Sequence, residues 1–256
     1  MRSSTDWRGW RAVWRAMRMS ETRLDINREP APPGGRTSTF YRCLQWFLPR
    51  LFRLNGGFDV RGTENVPETG GAILASNHRS YLDPPVIGAG LRRRTYYFAK
   101  QELFKNPVFA GIIRSLYAFP VDREGVDRTA IRHAINLLKA GELLTLFPEG
   151  TRSEDGRLGE ATPGVAFIAK QAGVPIVPCA LTGTSVVLPR KAWHLHRGRI
   201  TVSFGEPVRM EDFDSAGDAK AAAAAAVGAV MERIGAMLME VEPAAANTPP
   251  ATVADQ

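Results

Sequence analysis

The pattern of apolar positions changes period near Phe58. Beyond it, short apolar runs alternate with longer amphipathic stretches. The runs Phe58–Arg61, Ala72–Ser76, Thr95–Ala99, Ala118–Val121, Leu143–Phe147, Ile176–Leu181 and Ile200–Phe204 predict strands. Between them, Pro84–Gly90, Gln101–Leu116, Val126–Ala140 and Gly164–Ala172 predict helices. This alternation predicts one α/β domain over residues 56–242, a mixed, mostly parallel sheet covered by helices. Chemistry is expected where strands end and helices begin. Residues 211–242, with their alanine run, predict a long final helix, and 243–256 an unstructured tail.

Ahead of the domain the period is helical. In residues 38–55, Phe40, Leu44, Phe47, Leu48, Leu51 and Phe52 can share one face, with Arg42, Gln45, Arg50 and Arg53 opposite and a kink at Pro49. This predicts an amphipathic helix that lies on a bilayer or packs on the body. Residues 30–37 read as a Pro/Gly linker. Trp7, Trp10, Trp14 and Met17 fall on one helical stripe, with Arg8, Arg11, Arg15 and Arg18 one step on. That composition suits an interfacial helix attracted to anionic lipid. It equally suits an unstructured arm, or an extension upstream of a start at Met17 or Met19. The recurrent arginines argue against a cleaved secretory signal. No run approaches ~18 uninterrupted apolar residues, so no spanning helix is expected.

Charge sharpens this division. The net charge of +7 lies wholly in the first 55 residues, which hold eleven Arg and four acidic residues, leaving a neutral body. A basic appendage on a balanced domain suggests an anchor to an anionic membrane surface and not a nucleic-acid reader, whose cations would spread over a folded face. Two cysteines, Cys43 and Cys179, make neither a disulfide framework nor a CxxC metal cage. No P-loop, dinucleotide fingerprint or G-x-S-x-G elbow is present.

Two segments carry candidate chemistry, each just after an apolar strand. In NHRSYLD (residues 77–83), His78 and Asp83 lie five apart across a strand-to-helix turn, with Pro84 suited to the helix's first turn. The carboxylate can curl back to one imidazole nitrogen, leaving the other to take a proton from a hydroxyl. Equally, His78 can cap the turn while Asp83 serves as an N-cap. In FPEGTRS (residues 147–153), Gly150 permits close backbone approach, while Thr151 and Arg152 offer donors suited to phosphate oxygens. The plain alternative is a surface turn with Glu149 paired to Arg152. A further arginine, Arg123, ends the strand of FPVDR (residues 119–123).

Together with VPIVP (residues 174–178), these segments resemble, in order and spacing, the four motif blocks of the glycerolipid acyltransferases, most closely the lysophosphatidate acyltransferases. The resemblance spans roughly residues 56–205. It implies that family's α/β fold, with His78 as general base and Asp83 as the acid that orients it. It implies an acceptor-phosphate site of Arg123, Glu149, Gly150, Thr151 and Arg152, and a structural fourth block. The implied reaction moves an acyl group from acyl-coenzyme A or acyl carrier protein to the free hydroxyl of 1-acylglycerol-3-phosphate, without metal or other cofactor. The enzyme would sit peripherally on the cytoplasmic face of the cell membrane. Another lysophospholipid or lyso-aminolipid acceptor, or a non-catalytic membrane-binding protein of this fold, are the competing readings.

One departure bears on the acceptor. Ala161 and Thr162 stand where the family commonly has a Phe-Lys pair, leaving Lys105 or Arg79 to supply the missing charge. Backbone amides of the NHRSYLD turn are the expected oxyanion donors. His133 reads as a packing residue, His194 and His196 as a weak metal hint without a third ligand, and Arg92–Arg94 as a solvated run.

Overall fold

A computed structural model of the chain describes residues 35–122, 127–153, 157–190, 192–213 and 218–241. The arm at 1–34, Arg123 and the tail at 243–256 lie outside these residues. The chain enters through α1 (Thr39–Leu54) and β1 (Phe58–Arg61), then β2 (Ala72–Ser76), α2 (Asp83–Ala89), β3 (Thr95–Lys100), α3 (Pro107–Ser115) and β4 (Ala118–Val121). It continues through α4 (Arg128–Lys139), β5 (Leu143–Leu146), α5 (Gly164–Ala172), β6 (Ile176–Thr182), α6 (Thr184–Val187), β7 (Ile200–Phe204) and α7 (Ala219–Val241).

The seven strands form one sheet in the order β1-β7-β6-β2-β5-β3-β4. Every neighbouring pair is parallel except β6 and β7. Successive side chains feed opposite faces: Ile73, Ala75, Leu144, Ile176 and Ala180 join the core under α4, α5 and α7. Ala72, Leu74, Leu143, Val177 and Leu181 join the core under α1 and α2. Burial on both faces is why these strands read as unbroken apolar runs and not as alternation.

Helices depart from the sequence reading in three places. The expected helix at 101–116 is two pieces, a 3₁₀ turn at Gln101–Phe104 and α3, because Asn106 caps Val108 N and Phe109 N and Pro107 occupies the first helical position. The final helix begins at Ala219, after a 3₁₀ turn at Met210–Phe213. Although α7 is long and apolar enough by length and composition to cross a membrane, Ala222, Ala226, Val230, Ile234 and Leu238 form a buried stripe against the sheet.

The third departure is the face of α1. Gln45, assigned to the outer face, points inward, its Nε2 donating to the carbonyls of Gly88 (3.1 Å), Leu91 (2.9 Å) and Arg93 (3.4 Å) at the end of α2. Phe40 and Phe47, placed on the apolar face with Phe52, stand exposed with Trp46, while Phe52 is buried. The contact with α2 is close enough that a Cβ on Gly88 would meet the Tyr41 hydroxyl at 2.6 Å. Tyr41 and Phe52 are the residues of α1 that are fully buried.

The Arg92–Arg94 run is not simply solvated. Arg94 is buried, donates to Glu142 through Nε (3.1 Å) and Nη2, and lies near the rings of Tyr96 and Tyr117. Arg93 donates to the carbonyls of Pro67 (2.6 Å), Gly70 (2.9 Å) and Gly141. Both close the amino-terminal end of the parallel strands.

Candidate active site

β2 and β5 are neighbours and parallel, so the NHRSYLD and FPEGTRS segments leave the sheet side by side at its carboxyl end. Asn77 continues the ladder after β2 ends: its Oδ1 accepts from Leu181 N (2.8 Å) and its Nδ2 donates to Leu181 O (3.0 Å). This side-chain pairing fixes the chain one residue before His78 while freeing the backbone to turn.

In that turn, Asp83 is fully buried, and its Oδ2 accepts from Arg79 N (2.7 Å) and Ser80 N (2.8 Å) and lies 2.8 Å from His78 Nδ1. An ionised carboxylate only accepts, so Nδ1 carries the proton in this contact and Nε2 keeps its lone pair. The two readings of this segment merge: Asp83 ties the turn together and holds the imidazole with the same oxygen. The ring stacks on Phe147 at 4.0 Å and 19°, which fixes its plane.

The FPEGTRS loop grips both backbone groups of His78. Glu149 Oε1 accepts from His78 N (3.2 Å), and Ser153 N donates to His78 O (2.8 Å). Glu149 Oε2 accepts from Gly159 N (2.8 Å), so its carboxylate bridges two backbone segments and does not pair with Arg152. Arg152 instead lies over the Tyr81 ring, 3.8 Å from its centroid, with Nη1 buried and without a hydrogen bond. Thr151 is exposed. Gly150 has φ +72° and nothing within 4 Å of where a Cβ would stand, an open, left-handed position that favours glycine.

The amides of His78, Arg79 and Ser80 are thus committed to Glu149 and Asp83. The expectation that the turn's backbone supplies the oxyanion donors is overturned for these three. Arg123 lies outside the described residues; its strand, β4, is separated from β2 by β5 and β3, about 14 Å across the sheet. Thr162, at the departure from the family pattern, donates through N and Oγ1 to Pro148 O (3.0 and 3.3 Å) and so is a loop tie.

Other candidates fall away from this place. Cys179 lies beside Ser76, and burial, with the charge of Asp83 adding to it, pushes its thiol up to about 12, too high for a thiolate nucleophile. His133 packs edge-on against Phe119. His194 and His196 stack on each other at 4.6 Å in an exposed loop, and no group of three metal-ligating side chains occurs among the described residues. The contributions of Asn77 and Phe147 escaped the sequence reading. The only signal was their place at strand ends beside the candidate residues.

The Acyltransferase domain family matches residues 57–182. The chain is 36% identical over 169 residues to the 1-acyl-sn-glycerol-3-phosphate acyltransferase of Bacillus subtilis (strain 168), a match covering 65% of this chain and 81% of that protein. It is 32% identical to the human 1-acyl-sn-glycerol-3-phosphate acyltransferase beta, over 68% of this chain and 64% of that protein. The crystal structure of the 1-acyl-sn-glycerophosphate (LPA) acyltransferase PlsC from Thermotoga maritima superposes with a TM-score of 0.62 at 26% identity, covering 90% of this chain and 88% of that one. Fold, motif order and sequence similarity over most of a relative's length agree: the chain belongs to the 1-acyl-sn-glycerol-3-phosphate acyltransferase family.

Proposed function

We propose that this protein transfers a fatty acyl group from an acyl thioester to the free hydroxyl of 1-acylglycerol-3-phosphate, giving phosphatidate. The contact of His78 Nδ1 with the buried Asp83 carboxylate carries the reading. His78 Nε2 takes the hydroxyl proton as the oxygen attacks the thioester carbonyl. Asp83 stabilises the imidazolium, and the collapsing intermediate expels the thiolate, which regains the proton. A positioned base contributes roughly 10² to 10⁴ in rate, and holding hydroxyl and thioester together supplies much of the rest. Arg152, with a buried guanidinium nitrogen unspent, is the best placed of the described residues to bind the acceptor phosphate. Thr151 and Gly150 offer a hydroxyl and an open backbone beside it.

The donor is acyl-coenzyme A or acyl carrier protein. No resident metal or cofactor is needed, because the step requires only a base, an oriented hydroxyl and oxyanion donors. The outward aromatic and basic face of α1 supports peripheral attachment to an anionic membrane, on its cytoplasmic face, where such donors are found. The absence of a lysine at 162 favours a second reading, an acceptor other than lysophosphatidate. Thiol release from acyl-coenzyme A, followed over a panel of lysophospholipids, tests both: lysophosphatidate should rank first, and His78→Ala should lower turnover about 10² to 10⁴ fold. Lysophosphatidate ranking last would overturn the acceptor, and undiminished turnover in His78→Ala the base.

A further inference from the structure

The loop between α6 and β7 is one-sidedly basic. Residues 183–199 hold Arg190, Lys191, Arg197, Arg199, His194 and His196, and no acidic residue. Its apolar side chains are also displayed: Trp193 is 90% exposed, and Val186 and Leu195 are exposed beside it. An indole left almost wholly in water loses its apolar contacts, and the His194 ring that meets it edge-on at 5.1 Å leaves it 90% exposed.

The base of this loop is held firmly. Ser80 Oγ, in the catalytic turn, donates to Leu188 O (2.9 Å). His196 N donates to Val187 O (2.8 Å), closing the loop on itself. Asn55, the cap of α1, donates through Nδ2 to His196 O (2.7 Å) and accepts from Gly198 N (3.1 Å). One side of the loop is thereby pinned to the His78–Asp83 turn and the other to the end of α1, where Leu54 is 87% exposed.

The geometry points to this loop, tipped by Trp193, as a second membrane contact that engages anionic lipid headgroups and presents the catalytic turn to the bilayer surface. The inference rests on the peripheral-membrane reading and names the element that completes it. Continuity argues for lipid as the occupant: α1, to which the loop is pinned, likewise carries three arginines and no acid, with Trp46 and Phe47 outward. Tryptophan and leucine at the tip with guanidinium groups behind them match the interfacial layer, where indole sits at headgroup depth and cations meet phosphates. A nucleotide donor would need cations free to converge on its phosphates, whereas Arg199 is already bridged to Asp59 at 2.8 Å and the two imidazoles stack on each other.

The test uses the full chain and vesicles of 3:1 phosphatidylcholine and phosphatidylglycerol with brominated acyl chains. The Trp193 signal is taken as the difference between parent and Trp193→Phe. The vesicles should quench that signal, and Arg197→Glu should weaken vesicle binding roughly ten-fold. Quenching unchanged in Trp193→Phe would overturn the proposal, as would a Trp193 signal that answers to coenzyme A or an acidic carrier protein but not to vesicles. Trp46→Ser with Phe47→Ser separates the two levels. If this variant loses vesicle binding while Trp193→Phe and Arg197→Glu keep it, the loop proposal alone fails. If the parent chain itself does not bind the vesicles, the membrane reading fails with it.

Discussion

Arginines stand at both ends of the parallel strands, and the two ends treat them oppositely. At the amino-terminal end, Arg94 is locked to Glu142 between two tyrosine rings, and Arg93 is spent on three carbonyls. At the carboxyl end, Arg152 rests on Tyr81 with a buried nitrogen unpaired, and Asp83 keeps a buried oxygen, Oδ1, unpaired. Unpaired buried polar atoms cost stability. One end therefore spends its charges on the fold, while the other keeps charge available for a ligand. An unspent hydrogen-bonding group alone does not mark a site, since Arg94 Nη1 is also buried without a hydrogen bond; what separates the two ends is that Arg94 has a carboxylate partner in Glu142 while Arg152 rests on a ring.

The sharpest break of that comparison is a crossover. Arg94→Met takes the bidentate guanidinium from the buried Glu142 carboxylate, and should cost about 3–5 kcal/mol, read as a lower denaturation midpoint. Adding Glu142→Leu should restore most of it, since an apolar pair of similar volume tolerates that place. Arg152→Ala should do the reverse, leaving the midpoint nearly unchanged and raising the acceptor KM roughly 10- to 100-fold, the worth of a charge-assisted hydrogen bond. If Arg152→Ala unfolds the protein and Arg94→Met mainly changes KM, the assignment of the two ends is inverted.

Glu149 sharpens the comparison from within the site. Its carboxylate sits among the phosphate-binding candidates but accepts from His78 N and Gly159 N, so it acts as a positioning residue that sets the height of the imidazole. Glu149→Gln keeps one acceptor oxygen and turns an amide NH₂ toward the other N–H. Turnover should fall about ten-fold, near one lost hydrogen bond, with the acceptor KM little changed. A rise in KM at constant turnover would return Glu149 to the phosphate.

Much of this was legible in the sequence, for reasons that also mark its limits. The strands were found because burial on both faces leaves apolar runs with sharp ends, and the His78–Asp83 contact because its partners lie within one turn. Gln45 was grouped with the arginines of α1 because it is polar, yet it turns inward, half-buried, to satisfy three carbonyls at and beyond the end of α2; hydropathy cannot register such a partner. Arg94 with Glu142, 48 residues apart, and Asn77 with Leu181, 104 apart, are pairings that only the fold creates. Arg92–Arg94 looked solvated for that reason. The oxyanion expectation failed similarly: spacing shows that the turn has amides, but not that Asp83 and Glu149 already occupy them.

The smallest expected effect concerns the segment that carries Arg123. Asp127 Oδ1 accepts from Thr129 N and Ala130 N, capping α4, and its Oδ2 accepts from Asp122 N at 3.1 Å. One carboxylate thus fastens both flanks of residues 123–126. Partial burial raises its pKa, but these three N–H donors outweigh burial and hold it below the usual carboxylate range. Because the folded value is depressed, the stabilisation is complete above the unfolded carboxylate's range and fades as pH falls through the folded value. Asp127→Ala should cost about 1 kcal/mol, as N-cap losses do, and the difference from the parent should shrink in acid. If Arg123 also contacts the acceptor phosphate, loosening its flank raises the acceptor KM a few-fold. An unchanged KM beside the lowered midpoint would leave Arg152 to hold the phosphate without it, as its place in the loop after β5, next to the His78 strand, would allow and the place of β4, two strands further out, would explain.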